Sequence, residues 1–174
     1  MLGPFWHLRW WMGVSVSLAL AAGAVYLIAR PPDSRVQRAL GRDIAARLAR
    51  TALAETQRFP PDPALPILSL APVPGKNLSP ATLAGLREAI LSDASYVWDD
   101  AKPCVFTDDV RITLLDERRN PIAQIVLCFS CNEWSISVGE RQLLEDFDPV
   151  AGLLNQVAAE AFPGERFPPD RVPR

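Results

Sequence analysis

From Trp10 to Ala29 the chain runs twenty residues without a charge, between Arg9 and Arg30. At about 1.5 Å rise per residue, an uninterrupted helix of that length spans about 30 Å, the thickness of a bilayer's hydrocarbon core. The pattern predicts a membrane anchor over residues 1–30. Pro31 and Pro32 stop it, and Asp33 or Ser34 can cap a second helix running to about Arg58. In that stretch Val36, Leu40, Ile44 and Leu48 recur at helical spacing, while Arg35, Arg38 and Arg42 take another face.

Proline dominates residues 59–77, with Pro60, Pro61, Pro63, Pro66, Pro72 and Pro74, which excludes helix or central strand and predicts an extended strap. Ser79-Pro80 is an N-cap and N1 pair opening a helix to about Leu91, and Asp148-Pro149 opens another to about Phe162. Between them the period changes to two. Tyr96 to Trp98 is a short strand candidate. Val110, Ile112 and Leu114 alternate with Arg111 and Thr113; Ile122 to Phe129 is nearly all apolar; Trp134, Ile136 and Val138 alternate with Ser135 and Ser137. Pro163-Gly164 closes the last helix and an irregular proline-rich tail follows. The expected class is α+β: one N-terminal transmembrane helix, then a small antiparallel meander sheet packed with helices. Its parts are an anchor (1–30), a basic juxtamembrane helix (31–58), a proline-rich strap (59–77), the α+β domain (78–162) and a proline-rich tail (163–174).

A turn centred near Arg118 pairs Leu115 with Ile122 and brings Val110 beside Leu127. Cys104 then approaches Cys128 and Cys131 at one end of the sheet, within the ~7 Å between Cα atoms that a disulfide requires, for either partner. Three readings follow. The cluster is a structural disulfide with one thiol left over, a set of reduced buried cysteines, or a metal site completed by Asp108, Asp109 or Glu133. Cys128-Phe129-Ser130-Cys131 has C-x-x-C spacing, yet a strand precedes it where a thioredoxin-like site needs the first cysteine at a helix N-terminus. The pairs Asp99-Asp100 and Asp108-Asp109 are read as turn residues, because neighbours in a strand point to opposite faces.

Charge sharpens the membrane reading. Arg30 to Arg58 holds seven arginines against three acidic residues, whereas Phe59 to Arg174 holds ten basic against seventeen acidic. Arg30, Arg35, Arg38 and Arg42 therefore sit beside the anchor, where anionic lipid headgroups attract each by about 1 kcal/mol. Trp6, Trp10 and Trp11 at one end and Tyr26 at the other suit the membrane interface, and Gly13, Ser17 and Ala21 form a small-residue stripe on which another transmembrane helix can pack. The small residues around Ala22 also permit a cleaved signal peptide, but the apolar run continues past the ~7 to 15 residues that a removable segment uses. The arginines after the span favour a cytoplasmic domain, the cysteines an oxidising compartment.

The acidic domain lacks a basic stripe with interleaved aromatics, which argues against nucleic acid. The single histidine, His7, precedes the anchor, so no histidine serves as general base in the domain, and no phosphate-binding glycine loop occurs. The sequence calls for no cofactor and points to no small-molecule substrate.

The runs Pro103-Cys104-Val105-Phe106 and Val126-Leu127-Cys128-Phe129-Ser130-Cys131 resemble an uncharacterised group of small bacterial proteins, exported or membrane-anchored, that carry a C-x-F segment and a later C-F-x-C. The resemblance covers Lys102 to Val138 and implies an extracytoplasmic domain without supplying an activity. The expectation is a non-enzymatic, single-pass accessory subunit of a bacterial inner-membrane complex, its domain on the periplasmic side and its partners membrane lipid and other transmembrane subunits. The alternative is a periplasmic redox- or metal-sensing domain built on Cys104, Cys128 and Cys131.

Overall fold

Ser34 begins the folded body with a capping box: its hydroxyl accepts from Gln37 N–H and Gln37 Oε1 accepts from Ser34 N–H, both at 3.0 Å. The structure is a computed structural model and describes residues 33–60, 71–98, 104–165 and 167. The chain divides into two compact units, 1–33 and 34–174, and every described residue but Asp33 belongs to the second.

Helix α1 (Arg35–Leu40) ends at Gly41, and α2 (Ile44–Leu48) resumes in a new direction. The break preserves the apolar stripe, since Val36, Leu40, Ile44 and Leu48 are all buried. A single helix to Arg58 is therefore corrected: Gly41 takes φ 108°, and Leu53–Arg58 is a strand, β1. The stripe of the basic segment lies in the same core as the strands. The strap's end contributes Val73–Pro74 as β2; residues 61–70 lie outside the described residues. Helix α3 (Pro80–Leu91), capped by Ser79, matches expectation. The strands β3 (Val110–Leu115), β4 (Pro121–Cys128), β5 (Glu133–Val138) and β6 (Arg141–Asp146) follow, and α4 (Ala151–Ala161) is preceded by a 3₁₀ turn at Asp148–Val150.

All six strands form one antiparallel sheet in the order β2-β1-β3-β4-β5-β6, so the molecule is α+β. The meander β3 to β6 is as expected, while β1 and β2 extend it on one side and β6 was not anticipated. Tyr96 to Trp98 contributes only a bridge from Val97 to Asp146. Away from the turn the register of the first hairpin is the expected one, with Val110 facing Leu127 and Ile112 facing Ile125; at the turn Leu115 pairs with Pro121 and not with Ile122, and a bulge at Leu114/Leu115 absorbs the offset. There Asp116 Oδ1 accepts the N–H groups of Arg118 and Asn120 at 2.9 and 2.8 Å, and Arg119 adopts φ 64°.

One row across five strands, Thr56-Ile112-Ile125-Ile136-Leu143, shows how the core is built. All five side chains are buried, and the helices lie on this face, α1 against β6, α2 against β4 and α3 against β1. The opposite face carries the polar row Glu55-Thr113-Gln124-Ser137-Gln142. Such two-sided patterning is that of an antiparallel sheet with one apolar and one wet face. Among the described residues no helix is long and apolar enough to cross a membrane; the segment read as an anchor lies outside them.

Candidate functional site

The hairpin β4–β5 and the segment leading into β3 meet at one end of the sheet. Phe59 N–H donates to Asp109 O at 3.1 Å and Asp109 N–H to Leu127 O at 3.0 Å, so residues 104–109 enter the sheet beside the end of β4. This entry brings Cys104 to Cys131, which form a disulfide with Cα atoms 5.9 Å apart. Cys128 remains a thiol and is buried. The pairing settles which partner Cys104 takes. The disulfide takes two of the three sulfurs, and among the described residues no group of three or more His, Cys, Asp or Glu side chains is placed to hold a metal ion.

Around the sulfurs the chain supplies donors. Thr107 N–H points at Cys128 Sγ from 3.4 Å, and the hydroxyls of Thr107 and Ser130 lie 3.5 and 3.3 Å from the same sulfur. Asp109 Oδ2 accepts Phe129 N–H at 2.7 Å, fastening the turn that carries both cysteines. Burial pushes the Asp109 carboxyl above its ordinary range, against the N–H groups of Phe129 and Ser130 and the charge of Arg58, which pull it down. Asp108 turns the other way to pair with Arg111, whose guanidinium stacks on Phe59 at 4.4 Å. The two carboxylates therefore do separate jobs, in line with their reading as turn residues.

Phe129, the aromatic residue of the C-F-S-C run, has its own role. Its ring meets Phe147 edge-on at 5.9 Å and Phe167 at 5.0 Å. Phe167 also approaches Phe162 at 6.1 Å and lies under the Arg58 guanidinium at 5.6 Å, while Arg58 pairs with Glu165. The start of the proline-rich tail is thus held by the same turn that carries the disulfide.

A second surface is formed by α1 and α2. Their inward stripe leaves Arg35, Arg38, Arg42, Arg47 and Arg50 exposed. Arg35, Arg38 and Arg42 belong to the expected headgroup set, and Arg47 and Arg50 are exposed with them. The arrangement is fastened from below by Asp93, whose carboxylate accepts Arg35 N–H at 2.9 Å and Val36 N–H at 3.0 Å. Burial raises the Asp93 carboxyl, but those two N–H groups, with Ser34 and Arg38, outweigh it and hold the group below its ordinary value. Asp93 O also accepts Trp98 Nε1–H at 2.9 Å, and Arg35 stacks on the Trp98 ring at 5.4 Å. Trp6, His7, Trp10, Trp11, Gly13, Ser17, Ala21, Tyr26 and Arg30 lie outside the described residues.

Comparison with known proteins gives no match: no family model, curated protein or solved structure is similar to this chain at a significant level.

Proposed function

We propose that the protein is a single-pass, non-enzymatic accessory subunit of a larger bacterial inner-membrane complex, anchored by residues 1–30 with its α+β domain in the periplasm. The observation that carries the reading is the construction of α1 and α2: soon after the apolar segment, five exposed arginines stand on and beside two helices, Arg35, Arg38 and Arg47 within them and Arg42 and Arg50 at their ends, and the other side of those helices is locked into the core. A fixed basic surface at that point in the chain suits anionic lipid headgroups and the acidic flanks of neighbouring subunits. The Cys104–Cys131 bridge supports the periplasmic side, since such bonds persist in oxidising compartments. Gly13, Ser17 and Ala21 supply a helix face for transmembrane partners.

The test is gentle extraction of the full chain from its native membrane, followed by identification of co-purifying chains. A stable assembly containing integral membrane proteins is expected; a chain that leaves the membrane in alkaline carbonate, or runs as a lone monomer in mild detergent, overturns the reading.

A further inference from the structure

The proposed membrane role leaves one nucleophile unused: the Cys128 thiol beside an existing disulfide. We propose that Cys104, Cys128 and Cys131 form an intramolecular thiol–disulfide exchange set that switches between two connectivities, independently of the anchoring role. Ser130 supplies the link. Its hydroxyl lies 3.3 Å from Cys128 Sγ and 4.0 Å from Cys131 Sγ, so one small group touches both the thiol and the inner sulfur of the disulfide. Cys128 and Cys131 bracket the tight turn between β4 and β5, at the three-residue spacing that a C-x-x-C disulfide uses.

Two further features favour the step. Thr107 N–H and the hydroxyls of Thr107 and Ser130 surround Cys128 Sγ and fix its position on the turn that also carries Cys131. The leaving side is also right, because Cys104 is exposed while Cys131 is buried, so the released sulfur is the solvated one.

The reaction balances without an external oxidant. Cys128 loses its proton and its sulfur attacks Cys131 Sγ; the Cys128–Cys131 bond forms as the Cys104–Cys131 bond breaks; the electron pair leaves on Cys104, which takes up a proton. The product closes the C-x-x-C ring and releases residues 104–109 from their staple. It also presents a free thiol next to Val105, a hydrophobic residue 74% exposed. This thiol suits attack on a disulfide of a partner protein: a bond from Cys104 Sγ to one partner sulfur forms as the partner's S–S bond breaks, and the other partner sulfur leaves as a thiolate that takes up the proton Cys104 gave up.

The full chain in detergent, incubated in mildly alkaline buffer without reductant, quenched with acid, alkylated and digested with trypsin, reads the switch directly. Cleavage at Arg119 and Arg141 keeps Cys128 and Cys131 in one peptide and Cys104 in another. The starting connectivity gives a cross-linked pair; the exchanged one gives two separate peptides, with alkylated Cys104 and an internal disulfide. Growth of the second species with time is expected, together with its complete absence in Cys128→Ser. Wild-type protein that keeps only the cross-linked pair at all times overturns the proposal, as does growth of alkylated Cys104 in Cys128→Ser.

Discussion

Single carboxylates carry much of this fold's pH dependence, and they do so with opposite signs. Asp93 and Glu160 are held below their ordinary values: Glu160 chiefly by the Thr82 hydroxyl and then by Ser79 N–H, Asp93 by the α1 N–H groups that outweigh its burial. Groups of this kind contribute stability that is present above the unfolded-state pKa and lost as pH falls through the folded one. Asp109 is displaced upward, so its contribution is complete below the unfolded value and fades as pH rises through the folded one. Asp109→Asn keeps an oxygen for Phe129 N–H and removes the titration. Thermal melts across pH are expected to show the wild type losing stability relative to this variant as pH rises out of the acid range, and parallel curves would refute the assignment. Asp93→Ala leaves two helix N–H groups without their acceptor and is expected to cost about 1 kcal/mol in denaturant titration. Thr51 supplies the converse case: its hydroxyl is buried without a hydrogen-bond partner among the described residues, so Thr51→Val is expected to stabilise by about 1 kcal/mol.

Elements were legible where one local signal agreed with the tertiary demand. Ser79-Pro80 marked a helix start as an N-cap and N1 pair, whereas Asp148-Pro149 opens a 3₁₀ turn without capping it and the α-helix begins at Ala151; alternation in β3 and β5 with the continuous apolar run of β4 located the meander and its register away from the turn. β1 escaped because its inward residues are Ala54 and Thr56, too small and too polar to show a period of two in a stretch of good helix formers. What makes it a strand is pairing with β3 over all six residues, a non-local gain that no short window contains. β6 was obscured in a similar way, with Leu143 and Leu144 adjacent and only the first turned inward. The disulfide corner was legible as a convergence, but the choice between Cys128 and Cys131 depended on the turn that Asp109 fastens. Gly41 is the break that the helical stripe concealed. At φ 108° a side chain is strained, and a Cβ there would lie 2.8 Å from the Arg141 guanidinium. Gly41→Ala is therefore expected to destabilise by about 1 to 2 kcal/mol, read as a lowered melting temperature.

For the molecule as a whole, the disulfide and the basic surface make separable contributions. The bridge joins residues 27 apart and, by loop-closure entropy, is expected to supply about 3 to 4 kcal/mol. Reduction of the full chain should lower its denaturation midpoint accordingly, without altering membrane retention. Reversing Arg42 and Arg50, which make none of the contacts to Asp93 and Trp98 described above, to glutamate changes the charge of this surface and leaves the core stripe intact. Such a variant, reconstituted with vesicles rich in anionic lipid, is expected to lose the salt-sensitive protection of α1 and α2 from proteolysis that the wild type shows; equal protection in both would remove the lipid role from these arginines.

Asp93 gives the fold a mechanical property as well. A pull delivered along the backbone at Ser34 reaches a carboxylate nearly sixty positions downstream before it finds any slack, because Arg35 and Val36 are fastened there. Tension arriving at Ser34 is thereby passed through these two hydrogen bonds to Asp93, just beyond the end of α3 and beside the Tyr96–Trp98 pair.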